Sequence, residues 1–187
     1  MGEPRYLYYT ATTLDGFIAD EADNLDWLLT QPIDEDGPMN YGEFIRGIGV
    51  LAMGATTYRW VVSHEIEAGR PWPYDIPCLV FTHGDLEPVA ESVRMVSGPP
   101  AEHRAAIEAA AGDGDVWVVG GGDLAGQFAD AGMLDEMVVS IAPVTLGAGR
   151  PLLPRRFDLD LVEVARNGAF MCARYGVIGP RSDAGER

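Results

Sequence analysis

Short apolar runs alternate along this chain with stretches whose apolar residues recur every three to four positions. The first pattern marks strands, the second helices with one buried face. Residues 5–14, rich in Tyr and Thr around Leu7, read as a strand that Asp15-Gly16 punctuates. A polar loop over 20–24, a short helical turn over 25–29 and an acidic loop over 30–38 follow. Tyr41, Phe44, Ile45 and Ile48 are spaced for one helix face; residues 50–53 form a short buried strand, and Gly54 opens a helix over 56–62. Residues 63–76 read as irregular. Two strands, 78–82 and a weaker 92–97, precede an Ala-rich helix over 100–111. The run 116–119 is a strand, Leu124, Phe128 and Ala131 share a helix face, and 137–141 is again a strand. After Pro154 the period becomes two: Leu159, Leu161 and Val164 mark one strand and residues 170–178 the next, with Asn167-Gly168 as the hairpin turn. Residues 1–180 read as a single domain and 181–187 as a polar tail. This order predicts an α/β fold: a mostly parallel central sheet, helices on both faces and an antiparallel C-terminal hairpin. Ligands in such sheets sit beyond the carboxyl ends of the strands.

The strongest local signal is Gly120-Gly121-Gly122, which ends a strand and opens a helix. Glycines let backbone N–H groups approach a ligand closely, and the following helix N-terminus favours an anion. With Ala125 the segment satisfies G-x-G-x-x-A. Such a turn also arises where a helix packs tightly on a strand without any ligand. An ordinary dinucleotide-binding domain expects an acid at the end of the next strand; here that strand ends Ser140-Ile141-Ala142-Pro143, and only a hairpin remains after it. The six-stranded version of that domain is thereby excluded.

Composition narrows the chemistry. A formal net charge of −16 argues against nucleic acid and anionic membrane surfaces as partners. All 13 basic residues are Arg, so a Schiff-base lysine and a Walker-type phosphate lysine are both excluded. Any phosphate must be held by backbone amides, hydroxyls or Arg. Cys78 and Cys172 lie apart in apolar runs and read as buried free thiols in a reducing compartment. With no leader-like N-terminus and no run of spanning length, a cytoplasmic protein is expected. His64, His83 and His103 have no ligand spacing, so no metal is expected.

Four blocks carry a resemblance that spans almost the whole chain: Thr12-Thr13-Leu14-Asp15-Gly16-Phe17-Ile18-Ala19, Met53-Gly54-Ala55-Thr56-Thr57-Tyr58, Val119-Gly120-Gly121-Gly122-Asp123-Leu124, and Leu134-Asp135-Glu136 through Ile141-Ala142-Pro143-Val144 to Leu152. In order and spacing they resemble the dihydrofolate reductase-like superfamily, whose fold is a three-layer sandwich. Within it the chain is most similar to the reductase domain of riboflavin biosynthesis, the C-terminal half of a bifunctional deaminase–reductase, and to stand-alone relatives of that domain.

The resemblance implies an NADPH-dependent reductase acting on a small imine, carbonyl or heterocyclic substrate, and a homodimer. Gly120, Gly121, Gly122, Asp123 and Leu124 would cradle the cofactor pyrophosphate, with a cis peptide between Gly120 and Gly121. Gly54 and Thr57 would approach the phosphates from a second helix, Thr82 would lie on the adenosine side, and Ala11, Thr12 and Ile18 would flank the nicotinamide. Asp15 is the catalytic candidate, with shaping of the Asp15-Gly16 turn as its structural alternative. Asp26 and Trp27 would line the substrate pocket, as would Tyr58. A core role is the alternative for Trp27, and for at least one of Tyr58 and Trp60.

Three departures qualify this. The family's Arg after Met-Gly, which contacts the 2′-phosphate, is Ala55 here, so NADH is a second cofactor candidate, a flavin-type ligand a third, and Arg59 or His83 a substitute partner. No acid aligns with the pterin-binding carboxylate of the dihydrofolate reductases; Asp36 and Glu43 are merely near, which places folate reduction third. The family's basic residue before the first block is missing, since Thr10 and Ala11 stand there, so a phosphorylated substrate would depend on Arg46, Arg59, Arg70 or Arg150. The rival from another class is a nucleotide-binding or regulatory module without turnover.

Overall fold

The apolar runs become the strands of one continuous sheet. The computed structural model describes residues 2–182. In chain order it contains β1 (Tyr6–Thr13), β2 (Phe17–Ala19), α1 (Asp26–Leu29), α2 (Tyr41–Arg46), β3 (Ile48–Gly54), α3 (Ala55–Val61), β4 (Cys78–Phe81), β5 (Val93–Val96), α4 (Arg104–Ala111), β6 (Asp115–Gly120), α5 (Gly122–Asp130), β7 (Glu136–Ala142), β8 (Arg150–Pro151), β9 (Phe157–Asn167) and β10 (Phe170–Pro180). Eight strands form a sheet in the order β5-β4-β3-β6-β1-β7-β10-β9. All neighbouring pairs from β5 to β7 are parallel; β10 runs antiparallel to β7 and β9 antiparallel to β10. The expected α/β sandwich, mostly parallel with an antiparallel terminal hairpin, is the one observed.

Because the parallel strands are covered on both faces, successive residues bury in opposite directions. Tyr6 and Tyr8, Val50 and Ala52, and Val116 and Val118 join Ile107, Leu124 and Phe128 of α4 and α5 in one cluster. Leu7, Leu51, Met53 and Trp117 pack on the other face, with Phe44 and Ile45 of α2 and Tyr58 of α3. A third, smaller cluster joins Trp27 of α1 to Phe170 and Cys172 of β10. Cys78 and Cys172 are both free and buried, and burial pushes the Cys78 thiol up to about 12.

Three local expectations change. Residues 62–66 continue α3 as one wider π-type turn instead of starting an irregular stretch. The hairpin loop is Gly168-Ala169, because Asn167 still pairs with Phe170 as the last residue of β9. Asn167 is buried: its side chain accepts from Asp34 N–H at 2.9 Å and donates to the Pro38 carbonyl at 3.1 Å, tying the 32–38 loop to the sheet. The period-two stripe of β9 does not face the core, since Leu161, Val162 and Val164 are more than half exposed on this edge strand. Of the expected tail, residues 183–187 lie outside the described residues. Among the described residues, no helix is long and apolar enough to cross a membrane, and no group of three or more His, Cys, Asp or Glu is placed to hold a metal ion.

Candidate active site

A cavity of about 880 Å³ opens at the carboxyl ends of the parallel strands. Ala11 of β1, Gly54 of β3, Phe81 of β4, Val119 of β6 and Ser140 of β7 all reach it. This is the place the sheet topology dictates. One wall is secured by a small second sheet, in which β2 pairs with β8 and brings Ile18, Ala19, Arg150 and Pro151 to the cavity.

One half of the lining is mostly main chain. α3 starts after Gly54 and α5 after Gly121, and neither cap position has a side chain to satisfy the first-turn amides. Both helix starts line the cavity, through Gly54, Ala55, Thr56 and Thr57 and through Gly121, Gly122, Asp123 and Leu124. They lie close together: a Cβ on Gly54 would sit 3.8 Å from Gly121 N. Unpaired first-turn N–H groups on two converging helices form an anion-binding donor set. The peptide between Gly120 and Gly121 is cis. Thr82, His83 and Gly98, at the ends of β4 and β5, extend this half.

The three glycines have separate reasons. Gly120 has φ +124° and abuts the Tyr8 ring; it does not line the cavity. Gly121 does line it. Gly122 also reaches it, yet a Cβ there would stand 2.1 Å from the Pro151 carbonyl and 2.6 Å from that of Leu152, so its glycine is set by packing of α5 on β8. The Asp123 carboxylate accepts from Gln127 Nε2 at 2.9 Å and from Arg155 at 3.1 Å, and these contacts hold it below the usual carboxylate range.

The other half is built from side chains. Trp117 projects from β6 among aromatic rings, with centroids 5.8 Å from Tyr41, 6.0 Å from Tyr74 and 6.2 Å from Tyr9. Its indole N–H donates to the Tyr9 carbonyl at 3.0 Å, which fixes the ring. Leu25, Leu28 and Leu29 enter from the α1 segment, Ile33 from the next loop and Phe170 from β10. Burial raises the Tyr41 and Tyr74 hydroxyls above their ordinary value, so both stay protonated near neutrality and can donate. Neither Asp36 nor Glu43 reaches the cavity.

Of the residues singled out in the sequence, Ala11, Ile18, Gly54, Thr57, Thr82, Gly121, Gly122, Asp123 and Leu124 converge on the cavity. Five others, besides Gly120, are corrected. Asp15 is exposed and points to a loop: it accepts from the Thr13 hydroxyl at 2.6 Å, from Gly147 N–H at 2.7 Å and from Leu146 N–H at 3.1 Å. Those bonds, the Thr13 hydroxyl first, lower its pKa, and they tie the turn at Asp15 to the 146–147 segment. Thr12 is buried and bonds the Phe17 carbonyl. Asp26 begins α1, paired with Asn24, while Trp27 packs under it against Phe170. Tyr58 is core: its hydroxyl donates to the Glu87 carbonyl at 2.7 Å and accepts from Val89 N–H at 3.0 Å. Trp60, two positions on, is the one that lines the cavity. Tyr9, Tyr74, Trp117, Ser140 and Gly98 were not legible as site residues, because strand alternation shows that they share a face but not what that face meets.

Solved structures identify this arrangement. A candidate riboflavin biosynthesis protein of Shewanella sp. PV-4 superposes with a TM-score of 0.78 at 26% identity, covering 92% of this chain and 98% of that one. The fold is the one seen in dihydrofolate reductase. Residues 100–169 match the RibD C-terminal domain. A Thermotoga maritima diaminohydroxyphosphoribosylaminopyrimidine deaminase/5-amino-6-(5-phosphoribosylamino)uracil reductase shares the fold with a TM-score of 0.60 at 15% identity, over 94% of this chain and 57% of that one. Enterococcus faecalis dihydrofolate reductase, solved with NADP(H), does so with a TM-score of 0.59 at 15% identity, over 93% and 96%. In sequence the chain is 29% identical to the Bacillus subtilis protein YwjB, itself uncharacterized, over 80% of this chain and 83% of that one. The domain match and the likeness to the Shewanella protein support a reductase-like function.

Proposed function

We propose that this protein is a nicotinamide-dinucleotide-dependent reductase that transfers a hydride to a small imine, carbonyl or heterocyclic substrate. The observation that carries the reading is the pair of uncapped helix starts, at Gly54 and Gly121, facing one cavity at the carboxyl ends of the sheet. A pyrophosphate fits such a donor set without any lysine. When bound there, the dinucleotide supplies the hydride.

The chain's own residues bind, orient and exclude water. The first-turn amides of α3 and α5 would hold the pyrophosphate, and Thr82, His83 and Gly98 would bound the adenosine end. Ala11 and Ile18 would flank the nicotinamide. The Tyr41 and Tyr74 hydroxyls would orient the substrate as hydrogen-bond donors, in a half of the cavity walled by apolar groups. NADPH is the first choice of cofactor by family likeness. Ala55 puts no guanidinium at the α3 start, so NADH is the alternative. We assign the reaction to the cytoplasm, whose reducing conditions suit two buried free thiols. We also assign a homodimer, in which a second copy would cover the exposed Leu161, Val162 and Val164 of β9.

The test is titration of the protein with NADPH and NADH while following tryptophan fluorescence, since Trp60 and Trp117 both line the cavity. Oxidation of the bound cofactor is then assayed with pyrimidine, pterin and carbonyl compounds. Failure to bind either dinucleotide would sink the reductase reading. Binding without oxidation of any compound would favour a nucleotide-binding module, a reading that the missing acid of the substrate half also motivates. Sedimentation as a monomer would remove the dimer.

A further inference from the structure

The side-chain half of the cavity offers little positive charge to a bound phosphate. Among the described residues, only two groups capable of positive charge line the cavity, Arg150 and His83. Arg150 is already occupied: its Nε meets Asp23 Oδ1 at 2.6 Å, and its Nη2 reaches Asp23 Oδ2 at 3.3 Å and the Glu21 carbonyl at 3.2 Å. Asp20 and Glu21 add further negative charge around the same guanidinium. His83 follows β4, three strand spacings from Tyr9 on β1, a separation of about 14 Å. Arg46, Arg59 and Arg70 do not reach the cavity, and the chain has no lysine. A phosphate dianion placed among Tyr9, Tyr41, Tyr74 and Trp117 would lose water and gain no counter-charge, which is strongly unfavourable. A flat conjugated ring would instead find aromatic faces and phenolic donors.

We propose that this half binds an uncharged, planar conjugated ring carrying a carbonyl or imine, and that it rejects the 5′-phosphorylated form of such a compound. Its role as substrate rests on the reductase reading; its binding does not. Two ligand pairs that differ by one phosphate test it with the full chain by calorimetry: riboflavin against riboflavin 5′-phosphate, and pyridoxal against pyridoxal 5′-phosphate. Absence of lysine keeps the aldehydes from forming lysine adducts. The expected result is that the unphosphorylated member of at least one pair binds about tenfold or more tightly than its partner. In Asp23→Asn, which frees Arg150 on an exposed loop, that ratio narrows. Equal or tighter binding of the phosphates, or binding of neither member of either pair, overturns the proposal. NADPH and NADH titrations run alongside separate the two readings: ring discrimination lost with dinucleotide binding intact sinks this inference alone, and the reverse sinks only the cofactor assignment.

Discussion

Around Gly54 and Gly121 the cavity is lined by two glycine-led helix starts; around Trp117 it is lined by aromatic residues. The first region works by what is absent. Two helices begin without capping side chains, and their amides stay available because glycine brings nothing to occupy them. The second region works by what is present: the Tyr9, Tyr41 and Tyr74 rings each stand about 6 Å from the Trp117 ring, and a part-buried hydrogen bond sets the angle of that indole. A backbone site is general, because any phosphate can accept from N–H groups. A side-chain site is selective and free to vary. The glycine-led half keeps the motifs that carry the resemblance, while the aromatic half has no carboxylate of the pterin type and its Arg150 is paired with Asp23.

The sharpest way to break the comparison is Trp117→Ala. It empties the centre of the aromatic cluster and should cost about 3–5 kcal/mol in urea unfolding. If the halves are independent, the surviving folded protein keeps its dinucleotide affinity; joint loss of both would show one coupled site. Next is Gly122→Ala, whose Cβ would collide with the Pro151 and Leu152 carbonyls, at a cost of about 1–3 kcal/mol. Gly54→Ala makes the complementary test. Its Cβ would find only ordinary contacts, the nearest at 3.6 Å, so stability should change by less than about 0.5 kcal/mol while dinucleotide affinity falls. Retained affinity in Gly54→Ala would remove the α3 start from the binding site.

Ala55→Arg sharpens the backbone half, since it adds the guanidinium that this chain lacks. The ratio of NADPH to NADH affinity should rise about tenfold, as a charge-assisted contact to the 2′-phosphate requires. No change would place the adenosine end elsewhere. The smallest effect belongs to Asp15→Asn. The folded carboxyl has a lowered pKa, so its contribution to stability is present above the ordinary aspartate value and fades as pH falls through the folded one. Thermal unfolding of the variant should therefore lose part of its acid dependence below about pH 4. A pH–rate profile that lost one limb at neutral pH would restore Asp15 as a proton carrier.

Much of the backbone half was legible in the sequence, and little of the side-chain half. Gly-rich turns announce themselves, because few other residues can carry such a backbone, and they sit within two of the four blocks that carry the resemblance. Even there the reasons for the individual glycines were hidden. Gly122 is forced by Pro151 and Leu152, which lie about thirty positions away and meet it only after β8 has paired with β2. Asp15 read as chemistry because its block is shared across the superfamily; the structure gives it a loop to hold. Tyr58 and Trp60 were indistinguishable as aromatic neighbours, and about half a helical turn separates a core hydroxyl from a cavity wall.

By itself the sequence determined the alternation of strands and helices that makes a mostly parallel sheet with a terminal hairpin, and the two glycine-led helix starts. It also ruled out lysine chemistry. These follow from local rules: side-chain period, backbone freedom at glycine and charge count. Only the tertiary structure decided that Trp117, Tyr41, Tyr74 and Tyr9 form one aromatic surface, and that Arg150 is spent on Asp23. Those facts depend on contacts between residues far apart in the chain, which no period or motif encodes, because burial on a strand face says nothing about what stands across from it.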